Sequence, residues 1–231
     1  YAVFLHGLDF SAALKTPRKK FLTGLILRRA DKIIAANTYV ASQAESLYPD
    51  LADRIAVVNP GVFGGTPNIS EADKNNLRDK YNLSGKTVLF SLGRLVKRKG
   101  FDRVIQALAK MSPAEAEKFV YVIAGHGPQA EYLRRLVPSY WRDRVIFLGM
   151  VTETEKWTWL ETSDIFIMPS RDIAGDFEGF GIVYLEANLC GKPVIAGNSG
   201  GVSDAVLDGV TGLIVDSENI DDIKEKILIL A

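Results

Sequence analysis

The chain has 231 residues, 47% apolar and 24% charged, with 28 Lys plus Arg balanced by 28 Asp plus Glu. That composition excludes a disordered or fibrous chain, allows one large or two small domains, and leaves no global field to recruit nucleic acid. A lone cysteine, Cys190, excludes a disulfide framework and suits a reducing, cytoplasmic compartment, while no apolar run approaches the roughly 20 residues that span a bilayer.

Residues 1–5 read as a mid-sheet strand without an initiator Met, running into His6-Gly7. A basic segment, residues 15–20, leads to a helix over 21–30, a strand over 31–36, and a helix over 40–48 capped by Asn37 or Thr38. A short strand at 55–58 breaks at Asn59-Pro60-Gly61. Gly64-Gly65-Thr66-Pro67-Asn68 is the most linker-like stretch, which puts a domain boundary between residues 65 and 66. A helix over 71–81 follows, and then strands at 87–92, 121–125, 145–148 and 164–168 alternate with helices over 100–111, 129–137 and 153–162. The alternation continues to a strand at 212–216, and residues 221–231 stop inside a helical pattern. Such alternation implies right-handed crossovers and a parallel sheet. The expected class is therefore α/β: a doubly wound, Rossmann-like nucleotide-binding domain over 66–231, preceded by the end of a second Rossmann-like domain over 1–65. Both ends make the chain read as a piece of something longer.

The most informative segment joins two carboxylates, Glu178 and Glu186, to a Gly-Phe-Gly turn that opens a helix at the carboxyl end of a buried strand. Around it stand Pro169-Ser170, Gly191-Lys192-Pro193-Val194, Gly200-Gly201 and Gly209-Val210-Thr211-Gly212; upstream lie Ser91-Leu92-Gly93-Arg94, Lys97-Arg98-Lys99-Gly100 and Val3-Phe4-Leu5-His6-Gly7. In order and spacing these resemble glycosyltransferase family 4, the retaining enzymes with the GT-B fold. The run from Gly175 through Val202 is most similar to the branch that includes phosphatidylinositol mannosyltransferases. The resemblance implies transfer of a hexose from a nucleoside diphosphate sugar to a lipid or saccharide, with no metal and no cofactor. GDP-mannose is the favoured donor, ahead of UDP-glucose or UDP-N-acetylglucosamine. The family's Pro-Asn-Gly-Val-Asp run is replaced by Asn59-Pro60-Gly61-Val62-Phe63, a departure that bears on the hinge between the units and not on the donor site.

Arg94 and Lys99 would sit at the sheet's carboxyl edge and neutralise a departing diphosphate. Lys97 and Arg98 read instead as a solvated turn. The resemblance gives Glu186 the ribose hydroxyls and Glu178 the sugar ring, and the amides of Phe180, Gly181, Ile182 and Val183 would meet phosphate or hexose oxygens. The Phe180 ring suits core packing as well as ligand contact. From position alone His6 is a satisfied histidine at a strand end; the resemblance makes it the cleft histidine that touches the hexose. Met150-Val151 is similar to the family's base-stacking edge, and His126 reads as a loop residue. With two histidines and no suitable spacing, no metal site is expected. Lys15 to Lys20 with Arg28 and Arg29 form either a solvated helix face or a contact with anionic lipid at the membrane's inner face. A non-catalytic nucleotide-sugar-binding module is the rival from another class, and a glycogen- or sucrose-synthase-like transferase is the rival enzyme.

Overall fold

A computed structural model describes residues 1–62 and 67–231, so the boundary at residues 65 and 66, most of the proposed linker, and Phe63 lie outside the described residues. Strands β1 (Ala2–Leu5), β2 (Lys32–Ala35) and β3 (Ile55–Val57) form a parallel three-stranded sheet in that order. Strands β4 (Thr87–Leu92), β5 (Phe119–Ala124), β6 (Val145–Gly149), β7 (Ile165–Met168), β8 (Val194–Gly197) and β9 (Gly212–Val215) form a second parallel sheet. Its order is β6-β5-β4-β7-β8-β9. The chain thus enters at the middle, winds out to one edge, returns beside β4 and winds to the other. Crevices for ligands open where that order reverses, outside the carboxyl ends of β4 and β7.

The central strands are continuous apolar runs because both faces are covered. Every residue of β5, β7 and β8 is buried. Alternate side chains go to opposite cores: Leu89, Tyr121, Ile165 and Ile195 pack under helices Phe101–Ala109 and Ile220–Leu230, whereas Phe90, Val122, Phe166 and Val194 pack under helices Glu153–Thr162 and Ile182–Leu189. This two-sided cover is the doubly wound arrangement expected from the alternation.

Local details refine the expectation. Helix Pro17–Arg29 starts four residues earlier than read, because Thr16 accepts a hydrogen bond from the Lys19 amide and Pro17 suits the first helical turn, drawing the basic run into the helix. Helices Leu8–Ala13 and Val202–Ala205 are additional; at six and four residues they are too short for a periodic signal. The cap of helix Thr38–Leu47 is Asn37, whose Oδ1 accepts from the Val40 amide at 2.8 Å, and Thr38 is freed for another contact.

Candidate functional site

Arg94 and Lys99 leave β4 on either side of a tight turn, and Gly100 closes it. A side chain at Gly100 would lie 2.1 Å from the Pro169 carbonyl oxygen, so only glycine lets the β4 loop approach the end of β7 this closely. Lys99 then reaches Glu178 across the switch point, Nζ to Oε2 2.6 Å. Arg98 donates from Nη1 to the same oxygen at 2.9 Å and pairs through Nε with Asp176 at 3.1 Å, while the Ser170 hydroxyl lies 3.3 Å from Oε2. The side chains of Lys99, Glu178 and Arg98 are 11%, 7% and 15% exposed. The solvated-turn reading of Arg98 is therefore corrected: a loop 80 residues later supplies two carboxylates that draw it inward. Lys97 is exposed, as read. Burial pushes the Lys99 ammonium below the usual lysine range, against the opposing pull of Glu178.

Arg94 stays exposed and lines a cavity of about 380 Å³ with His126, Met150 and Val151, at the carboxyl ends of β4, β5 and β6. Met150 stands open to solvent there. The same opening receives His126, which the sequence alone left among loop residues; only the β4–β5 register brings it opposite Arg94.

Gly181, at φ 85°, turns the chain from this loop into helix Ile182–Leu189. The amides of Ile182 and Val183 open that helix, where first-turn donors have no acceptor within the helix and its dipole favours an anion. Phe180 is buried in one core cluster with Phe90, Phe166 and Tyr184, so of its two readings the ring takes core packing. Glu186, on the second turn, is bound by Lys156 Nζ at 2.7 Å, and Lys156 also pairs with Glu153 at 2.6 Å. Burial works against the Lys156 charge, but the two carboxylates outweigh it and hold the group above its ordinary value. Glu186 is thereby tied to helix Glu153–Thr162, which begins just after Met150-Val151.

The loop carrying Glu178 also belongs to the first sheet. Phe177 is fully buried in the core built by Leu5, Phe10 and Val40, edge-on to Tyr39 at 4.7 Å between centroids. Asn37 Nδ2 donates to the Gly179 carbonyl. Asp204 accepts from the Thr38 amide at 2.7 Å, from the Thr38 hydroxyl, and from Asn59 Nδ2 at 2.8 Å. Asn59 thus joins the units despite the altered hinge run. A side chain at Gly179 would lie 3.5 Å from the His6 carbonyl oxygen, so the backbone of the Val3–Gly7 run faces the loop that carries Glu178; His6 is exposed.

A family model for "Glycosyl transferases group 1" matches residues 73–230. A GDP-mannose-dependent alpha-(1-6)-phosphatidylinositol monomannoside mannosyltransferase of Mycolicibacterium smegmatis is 34% identical over 201 residues, covering 84% of this chain and 51% of that protein. The chain belongs to the group 1 glycosyl transferases. A relative from Corynebacterium glutamicum, GDP-mannose-dependent and specific by name for a monoacylated acceptor, is 39% identical over 159 residues, 68% of this chain and 41% of its own length. The crystal structure of Anabaena HepE with UDP superposes with a TM-score of 0.79 at 23% identity, covering 99% of this chain and 61% of that one, and shows the GT-B fold. The chain spans about half the length of the curated relatives it matches.

Proposed function

We propose that this chain carries the donor half of a retaining hexosyltransferase, with mannose from GDP-mannose as its sugar and a glycolipid or saccharide as acceptor. The observation that supports this best is Lys99 paired with Glu178 at the switch point, on the loop that leads into helix Ile182–Leu189, with Arg94 exposed at the carboxyl end of β4. The mannosyltransferase relatives favour GDP-mannose over UDP-hexose. Arg94 and Lys99 hold the diphosphate and stabilise the charge that grows as it departs, so no divalent metal is required. Glu186 accepts the ribose hydroxyls, Met150 borders the base, Glu178 and the His6 edge meet the hexose, and the amides of Gly181, Ile182 and Val183 take phosphate or sugar oxygens. Acceptor attack comes from the face the diphosphate leaves, and a diphosphate oxygen takes the acceptor proton; the protein contributes position and charge.

Calorimetric titration with GDP and UDP tests this. Binding is expected to survive EDTA, and Arg94→Ala or Lys99→Ala is expected to weaken it about tenfold or more, since a charge-assisted contact contributes roughly 1.5–3 kcal/mol. Loss of binding on chelation, or native affinity in both variants, refutes the reading.

The acceptor side touches a membrane in this proposal. Among the described residues no helix is long and apolar enough to cross one. Helix Pro17–Arg29, however, exposes Phe21, Leu22, Leu25 and Ile26 among Arg18, Lys19, Lys20, Arg28 and Arg29, with no carboxylate in the helix. An apolar face flanked by cations suits an anionic lipid surface, at about 1 kcal/mol per basic residue near it. The chain is expected to co-sediment with phosphatidylglycerol vesicles and not with phosphatidylcholine vesicles, and Lys19→Ala with Lys20→Ala and Phe21→Ser is expected to release it. Equal sedimentation with both lipids, or an unaffected triple variant, refutes the contact.

A further inference from the structure

We propose that Arg98 is a positioning residue that keeps Glu178 charge-compensated while Lys99 is handed over to the donor diphosphate. The inference rests on the reading of Lys99 as a diphosphate ligand and adds a role that reading does not contain. Lys99 is already engaged: its ammonium lies 2.6 Å from Glu178 Oε2, and the two side chains are 11% and 7% exposed. Engaging a diphosphate therefore means weakening that pair. A carboxylate so deeply placed cannot lose its only cation without a large desolvation cost. It has a second one. Arg98 shares Oε2 at 2.9 Å, and the described residues make no hydrogen bond to Oε1, which remains for a ligand hydroxyl.

The two cations differ in what they can do. Arg98 is pinned at three points: Nη1 to Glu178, Nε to Asp176 at 3.1 Å, and its carbonyl oxygen accepting from the Arg171 amide at 2.7 Å. Its planar fork spans two carboxylates and stays put. Lys99 has one ion-pair partner among the described residues and a flexible four-carbon stem, and burial already disfavours its charge in the resting position. A diphosphate offers that ammonium more negative charge than Glu178 does, so Lys99 moves and Arg98 remains. Without Arg98, Glu178 would compete with the ligand for Lys99.

A double-mutant cycle isolates this competition. GDP affinity is measured by calorimetry for the native chain, Arg98→Met, Glu178→Gln and the double variant, with thermal melts to confirm folding. Arg98→Met is expected to weaken GDP about tenfold in the native background and less than about twofold beside Glu178→Gln, because the competing carboxylate is then gone, a coupling within the range usual between linked sites. Glu178→Gln alone is expected to bind GDP at least as tightly as the native chain. Equal losses in both backgrounds would mean that Arg98 touches the diphosphate or only shapes its turn, and would overturn the proposal, as would native affinity in Arg98→Met. Should Arg98→Met fail to fold, Arg98→Lys runs the same cycle: a smaller loss, again erased by Glu178→Gln, supports the hand-over, and a loss unchanged by Glu178→Gln overturns it. If Lys99→Ala leaves GDP affinity native, the diphosphate reading falls and the hand-over with it; if Lys99→Ala weakens GDP but the cycle is additive, the hand-over alone falls.

Discussion

Gly181→Ala is expected to lower the melting temperature by roughly 4–20 °C and to abolish nucleoside diphosphate binding at micromolar ligand, from a left-handed penalty of about 1–2 kcal/mol plus overpacking of about 1–3 kcal/mol. The residue sits at φ 85°, and a side chain there would lie 2.3 Å from Cε2 of Tyr184. Tyr184 is fully buried and its ring cannot yield freely: its hydroxyl donates to the Met168 carbonyl at 2.8 Å and lies 3.2 Å from the Ser170 hydroxyl. Ser170 in turn contacts Glu178, 3.3 Å to Oε2. Displacing the turn thus carries through two side chains to the carboxylate at the switch point, and it moves the Ile182 and Val183 amides that would meet the phosphates. Calorimetric melting and GDP titration check both halves of the expectation; a native melting temperature would show that the turn can relax without disturbing Tyr184.

Phe177→Ala is expected to cost about 3–5 kcal/mol, the usual range for emptying a fully buried aromatic site. Unlike an ordinary core deletion, it removes a ring that one unit inserts into the core of the other: Phe177 comes from the Glu178 loop and packs with Leu5, Phe10 and Val40. The native chain is expected to melt in one calorimetric transition, and the variant in two, the first sheet unfolding earlier. GDP binding should persist in the variant below the first transition, since Arg94, Lys99 and Glu186 are held by the second sheet and its helices. One undivided transition at the native temperature would show that Asn37, Thr38 and Asn59 hold the units together unaided.

How much of this was legible in the sequence depends on the range of the interactions concerned. The α/β class was legible because the strands of the second sheet are apolar on both faces and are separated by helical spacing, which are local properties of the chain. The Gly-Phe-Gly turn and its helix were legible for the same reason: a glycine at a left-handed position and an apolar helix following it are written within a few residues. Side-chain partnerships were not. Arg98 in a Lys-Arg-Lys triplet is identical in sequence to a solvated turn, and its burial depends on Asp176 and Glu178, which the crossover from β4 to β7 alone brings to it. Lys156 pairs locally with Glu153, yet its second partner, Glu186, is 30 residues away on the neighbouring helix. The seam between the sheets is likewise tertiary: Asp204 gathers donors from Thr38 and Asn59, 166 and 145 residues distant in the chain.

Sequence by itself therefore determined the fold class, the family resemblance and the places where charged residues meet strand ends, since hydrophobic periodicity and turn chemistry are short-range. Only the tertiary structure decided which of those charges are buried and paired with which, because burying a charge is favourable only when a partner is delivered by another part of the chain.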